Sequence, residues 1–315
     1  MTDIRNVTIV GAGTMGHCLA QVFAQGGHEV WLTDIRAEIL ERARALIAAN
    51  LRTLAEMKRF RRSEIAPTLG RIRTTTVARE ACANADMVIE AISEDRSAKK
   101  ALFRRLDRIA PPDAILASNT SYLNIFTFVE TRRPDKVLIT HWFAPPHIVP
   151  LVEIVRGPET SQTTVDRVEA LIAGLGKKPV VLSRFLPGFI ANRLQSALTH
   201  EVLYLLDNGY ATPQQIDEVT KSSFGLRMPI LGLTKRMDYA GLDLTRKVLR
   251  NGVYQPPPRR TRSGTLDRLA AAGRLGVKTG GGYHDYGNRS AEEIMRERDV
   301  KLIKLKAFLE EMGEL

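Results

Sequence analysis

Apolar residues in the first part of this chain come in short runs that alternate with longer stretches at helical spacing. NVTIV at residues 6–10 is a brief β-rich run that ends in glycines, and TMGHCLAQVFAQGG follows it with the period of a helix. The alternation recurs through HEVWLTD, IRAEILERARALIAANLRTLAEM, RIRTTT, a short helix, ADMVIEAI, a charged helix, DAILAS and KVLITH. Strands alternating with helices predict a parallel sheet covered on both faces, which binds ligands beyond the carboxyl ends of its strands. From about Pro187 the pattern turns helical, in PGFIANRLQSALTHEVLYLLDNG and in TPQQIDEV, which opens with a helix-start signature. The fold class expected is therefore α/β: a doubly wound sheet over residues 1–185, with a helical arm at about 50–73, then an all-helical domain over 186–315. SRFLPGF, with its proline-glycine break, marks the boundary. Consecutive prolines in YQPPPRRTRSGT, residues 254–265, predict an exposed loop because they remove backbone donors.

Composition narrows the chemistry. With 315 residues and 44% hydrophobic content the chain can bury a real core. Cys18 and Cys82 are the only cysteines, too few for a disulfide framework, and the histidines lack HxxxH spacing, so a reducing, cytoplasmic setting and no metal are expected. The apolar run begins at once, unlike a secretory leader, and no uncharged stretch reaches membrane-spanning length. A net charge of +11 suits an anionic small molecule as well as nucleic acid or a membrane surface. The basic clusters, Lys58, Arg59, Arg61, Arg62, Arg71 and Arg73 and then Arg259, Arg260 and Arg262, have no aromatic ladder between them, so a solvated surface is expected and no nucleic-acid or membrane partner.

Gly11, Gly13 and Gly16 form GxGxxG between the first strand and its helix, with Thr14 and Met15 inside the turn. The first glycine permits the turn, the second lets backbone approach a pyrophosphate, and the third lets helix and strand pack closely. Asp34 closes the second strand, where a carboxylate binds an adenosine ribose and repels a 2′-phosphate, so NAD is expected in preference to NADP. The alternative for Asp34 is a helix N-cap before IRAEIL, and Arg36 nearby suits NADP. Glu94, Ser121 and His141 also lie at or just past strand ends, which places them around one crevice. A histidine there can take a hydroxyl proton while the adjacent carbon is oxidised, and Glu153, twelve residues on, can fix its tautomer and stabilise the imidazolium.

GAGTMG, IEAISED, SNTSYL, His141 with Glu153, PGFIANRL, DYAGLD and GVKTGGGYHDY together resemble the L-3-hydroxyacyl-CoA dehydrogenases over nearly the whole chain. The resemblance implies a Rossmann domain, then a helical domain that dimerises, with a small-molecule substrate bound between them. It also implies His141 as base paired with Glu153. Ser121 and Asn192 are implied as the polar pair that holds the substrate oxygen and helps fix His141, and Glu94 and Lys99 as residues beside the nicotinamide ribose. Read without the resemblance, Lys99 fits a solvated helix face nearly as well, and Ser121 and Asn192 fit local capping roles. The arm EMKRFRRSEIAPTLGRIR resembles the helix-turn-helix that family enzymes extend toward coenzyme A.

The chain departs from the family pattern in three places. Ala144 stands where asparagine is usual, three residues after the histidine. Tyr122 replaces a small residue beside Ser121, and Gly232-Leu233 replaces glycine-proline before DYAGLD. The PPHIVP run is closer to relatives acting on free hydroxy acids or ring-bearing alcohols and aldehydes. The first expectation is oxidation of an L-3-hydroxyacyl-CoA with NAD. The second is the same chemistry on a substrate without coenzyme A, such as a carnitine-, gulonate- or pyridine-type compound. A non-catalytic NAD-binding protein is the third, and the retained His141 and Glu153 speak against it.

Overall fold

The computed structural model describes residues 3–258 and 260–313, so Arg259 of the basic loop lies outside the described residues. Contacts divide the chain into two compact units, Met1–Arg193 and Leu194–Leu315.

The first unit is built on eight strands: β1 (Asn6–Val10), β2 (Glu29–Thr33), β3 (Ile72–Thr75), β4 (Met87–Glu90), β5 (Ile115–Ser118), β6 (Val137–Trp142), β7 (Leu151–Arg156) and β8 (Lys178–Leu182). Their order across the sheet is β3-β2-β1-β4-β5-β6-β7-β8. Every pair is parallel except β6 and β7, which run antiparallel. Strand and helix alternation alone predicts a wholly parallel sheet. The exception arises because residues 143–150 are too few to carry a crossover helix, so the chain turns straight back.

Alternate residues of each strand face opposite sides. Val7, Ile9, Met87, Ile89, Leu138 and Ile154 join one buried cluster with Leu19 and Phe23 of α1 (Gly16–Gln25) and Ile47 of α2 (Ala37–Glu56). Val88, Leu116, Ile139 and Val155 join another that includes Phe103 and Leu106 of a helix further along the chain. Between α2 and β3 lies α3 (Ile65–Gly70), and between β3 and β4 the short α4 (Ala78–Cys82). The helix carrying Phe103 is α5 (Arg96–Ile109), and α6 (Gln162–Gly174) precedes β8. The expected arm is the hairpin of α2 and α3. Leu51, Leu54 and Thr68 bury its inner face, while Lys58, Arg59, Arg61 and Arg62 stay exposed.

The second unit is helical: most of α7 (Ala191–Asp207), then α8 (Pro213–Val219), a π-helical turn, α9 (Gly225–Leu231), α10 (Thr234–Ala240), α11 (Leu242–Asn251), α12 (Gly264–Ala271) and α13 (Ala291–Met312). Thr212 and Gln215 form the capping box that TPQQ announces. Among the described residues no helix is long and apolar enough to cross a membrane.

Candidate active site

Gly11, with φ of 102°, leaves β1 in a conformation closed to other residues, and a Cβ there would lie 2.6 Å from the Ala91 carbonyl oxygen. Gly16 sits against the Gly11 carbonyl so closely that a Cβ would come within 1.7 Å of it. Gly13 has nothing within 4 Å of where a Cβ would stand. Two glycines are thus fixed by packing, and the middle one leaves its outer side open, as a loop that cradles a pyrophosphate requires. Thr14 is exposed, and half-buried Met15 precedes α1 and packs on the core. Inside the turn the His17 Nδ1–H donates to the Gly13 carbonyl at 2.7 Å, which leaves Nε2 to accept from the Cys18 thiol at 3.2 Å. GxGxxG does not announce this brace.

Asp34 is tied to the same turn. Its Oδ2 accepts from the Ala12 N–H at 2.8 Å and its Oδ1 from the Arg36 N–H at 3.4 Å. The N-cap of α2 is Arg36, without a side-chain cap, so Asp34 does not serve the capping role open to it in the sequence. A half-buried carboxylate locked beside the glycine turn suits a ribose diol, and the turn as a whole fits a dinucleotide.

A buried charge network closes β4 and β5. Glu90, fully buried at the end of β4, accepts from Lys99 Nζ at 2.6 Å, the Ile92 N–H at 2.8 Å and the Ser118 hydroxyl at 2.6 Å. Lys99, 1% exposed, also pairs with Glu94 at 3.2 Å, which rules out the solvated helix face. Glu94 Oε1 accepts from the Thr120 hydroxyl at 2.5 Å, the Ser121 N–H at 2.9 Å and the Tyr122 N–H at 3.2 Å. Burial alone would raise the Glu94 pKa, but Thr120, the Lys99 charge and the Ser121 N–H outweigh it and hold the carboxyl below its usual range. Lys99 therefore acts on Glu94, and Glu94 on the backbone that presents Ser121. Glu90 is not singled out by sequence reasoning, although a carboxylate ending an otherwise apolar MVIE run is itself a signal.

His141 and Glu153 face each other directly across the antiparallel β6–β7 pair, which explains their spacing. The His141 Nδ1–H donates to Glu153 Oε2 at 2.8 Å, and both side chains are buried. An ionised carboxylate only accepts, so the proton sits on Nδ1 and Nε2 keeps its lone pair, with no protein partner among the described residues. The imidazole is wedged between Phe143, with ring centroids 4.5 Å apart, and Phe189 at 5.2 Å. Glu153 Oε1 accepts from the Ile190 and Ala191 N–H groups, each at 2.9 Å. Burial would raise the Glu153 pKa, but the His141 bond and these two N–H groups reverse it and keep the carboxyl below its usual range.

One residue further on, the Asn192 amide donates to the Ser121 backbone carbonyl at 3.1 Å. The structure thus brings Ser121, Asn192, Glu153 and His141 into one hydrogen-bonded neighbourhood, with the Ser121 hydroxyl free of protein partners among the described residues. It also explains why contacts carry the first unit to Arg193: the start of α7 is bonded to the sheet.

Comparison with known proteins places this geometry. Residues 6–185 match the model of the 3-hydroxyacyl-CoA dehydrogenase NAD binding domain, and residues 188–286 match that of the 3-hydroxyacyl-CoA dehydrogenase C-terminal domain. A probable 3-hydroxybutyryl-CoA dehydrogenase of Bacillus subtilis is 36% identical over 92% of this chain and all of its own length. A 5-formyl-3-hydroxy-2-methylpyridine 4-carboxylate 5-dehydrogenase of Mesorhizobium japonicum is 31% identical over 98% of this chain and 99% of that protein. Among solved structures, a dehydrogenase described with that pyridine activity as an NAD-dependent dismutase superposes with a TM-score of 0.89 at 30% identity, covering 99% of this chain and 100% of that one. The (S)-3-hydroxybutyryl-CoA dehydrogenase of Ralstonia eutropha gives 0.73 at 35% identity, covering 91% and 100%. With both halves matched in order around a paired histidine and glutamate, the chain belongs to the 3-hydroxyacyl-CoA dehydrogenase family, NAD-dependent enzymes that act on a CH–OH group.

Proposed function

We propose that His141 is the base of this dehydrogenase, taking the hydroxyl proton at Nε2 as the carbinol carbon of a small substrate is oxidised. The supporting observation is the buried 2.8 Å bond from Nδ1 to Glu153, which fixes the tautomer and leaves Nε2 as the lone pair. As the proton arrives, Glu153 balances the charge of the imidazolium. Bound NAD supplies the acceptor for the two electrons. The Ser121 hydroxyl and the remaining amide N–H of Asn192 are the donors offered to the substrate oxygen. Asp34, the glycine turn with Thr14 and Met15, and Glu94 held by Lys99 form the cofactor side.

Of the two substrate classes, we place the one without coenzyme A first: a ring-bearing hydroxy compound or its aldehyde. The likeness to the pyridine dehydrogenase runs end to end, with a TM-score of 0.89 against 0.73 for the 3-hydroxybutyryl-CoA enzyme. The chain's own departures agree. Ala144 removes an amide beside the histidine, and Tyr122, 59% exposed next to Ser121, offers an aromatic face. An L-3-hydroxyacyl-CoA remains the second reading. It is supported by the 36% identical relative and by the exposed Lys58, Arg59, Arg61 and Arg62, which suit adenosine phosphates.

The test is NADH formation from 3-hydroxybutyryl-CoA set against a panel of pyridine-ring alcohols, their aldehydes and free hydroxy acids. Turnover confined to the thioester reverses the order. Turnover confined to the panel, with the Michaelis constant unmoved by Arg61→Glu and Arg62→Glu, supports it.

A further inference from the structure

The acid beside His141 is itself a bound anion, and what binds it is a turn. Gly188 at φ of 77° and Phe189 at φ of 51° are consecutive left-handed residues, a conformation that costs a phenylalanine energy. Successive backbone N–H groups in a turn can aim at one point and form an anion-binding nest. Here the next two N–H groups, of Ile190 and Ala191, converge on the single oxygen Glu153 Oε1. Ala191 opens the long helix α7, so the positive end of its dipole adds to the same carboxylate. The strained residue also completes the pair, since its fully buried ring packs on the His141 imidazole.

We propose that the Gly188–Ala191 turn is a positioning element for the reaction: its nest keeps Glu153 ionised and presents Oε2 squarely to His141 Nδ1. Phe189 sustains the turn by burying its ring against the imidazole. The proposal rests on His141 being the base.

Beside the His141 bond itself, the two N–H groups of the nest are what oppose burial at Glu153. The one titratable side chain bonded to Glu153 is His141 on β6, and the residue opposite on β8 is Val180. Arg193, the nearest cation along α7, turns its guanidinium to the Pro187 carbonyl at 3.5 Å instead. A carboxylate stripped of two N–H donors in a buried site takes up a proton more readily. Once protonated it no longer needs the Nδ1 proton, and the tautomer that exposes Nε2 loses its anchor.

Two variants attack the nest without touching either side chain of the pair. Ala191→Pro deletes one N–H at a helix position where proline is tolerated. Gly188→Ala strains the turn more mildly, with its Cβ 3.3 Å from Arg193 Cγ. The main readout is the pH titration of the Glu153 side-chain carbon by NMR in the cofactor-free protein, assigned by its disappearance in Glu153→Gln. The expected result in both variants is an upward shift of the midpoint of about half a unit to one unit. The acid limb of kcat/KM moves the same way, and the Michaelis constant for NAD stays within about twofold of the parent. A Glu153 titration unchanged in a folded variant overturns the proposal, as does an unmoved acid limb. Should Ala191→Pro not fold, Gly188→Ala decides alone. Full turnover in His141→Ala would remove the base but leave the carbon titration as an independent reading of the nest.

Discussion

At the scale of single residues, the roles proposed for His141 and Glu153 depend on each other, and the strands set the two side chains face to face. His141 needs a fixed tautomer to act as a base, and Glu153 can fix it only as an ionised acceptor, which its lowered pKa provides. His141→Ala is therefore expected to cut turnover by about 10²-fold or more while NADH still binds, as followed by its fluorescence. Loss of NADH binding in parallel would assign the histidine to cofactor rather than to proton transfer. The sequence exposes the residues at strand ends because topology gathers those ends. It does not expose what side chains do to one another. Nothing in PGFIANRL announces that Ile190 and Ala191 turn their N–H groups on Glu153, since that depends on two left-handed residues and on a sheet distant in the chain.

Elements explain what was legible and what was not. The strands are readable because β1, β4, β5 and β6 are buried on both faces and so appear as short, mostly apolar runs. The reversal of β7 is set by the short 143–150 connection, a matter of length rather than hydrophobicity. Lys99 is the harder case. Its helix is strongly charged, and only the packing of α5 beside the ends of β4 and β5 sends this one lysine inward between Glu90 and Glu94. Removing one member of a buried ion pair strands the other, at a cost of about 3–5 kcal/mol. Lys99→Met is thus expected to lower the melting temperature sharply in calorimetry. The double variant with Glu90→Gln recovers part of the loss, because the stranded charge goes too. Additive losses would mean that the two side chains do not support each other.

For the whole molecule, the two units differ in how they bury apolar surface. Strands and helices of the first unit enclose two clusters, whereas α7 to α12 contain no fully buried residue, and Leu198, Leu226, Leu242 and Leu249 are all exposed. Helices with uncovered apolar faces need a partner. A second copy of the chain is the occupant that the family resemblance implies, so light scattering is expected to give a dimer that Leu226→Glu or Leu242→Glu weakens. A monomer at micromolar concentration would refute this. Stability against pH is also a property of the whole molecule. Burial lowers the pKa of His17 and His28 against the opposing pull of backbone carbonyls, so below the ordinary imidazole value of about 6.5 the unfolded chain takes up protons that the fold refuses. Glu94, Asp107 and Glu153 are depressed despite burial. The stability they add is complete above the usual carboxylate range and disappears as pH falls through their folded values. On the alkaline side burial pushes the Cys82 thiol from 9.0 up to about 12, so above pH 9 the unfolded chain releases a proton that the fold retains. Melting temperature against pH is then expected to form a plateau, falling below about 6.5 and above about 9. Cys82→Ala tests the alkaline edge. With the thiol gone, the decline above pH 9 becomes shallower while the acid side is unchanged, and parallel alkaline slopes in the two proteins would trace that edge to other groups.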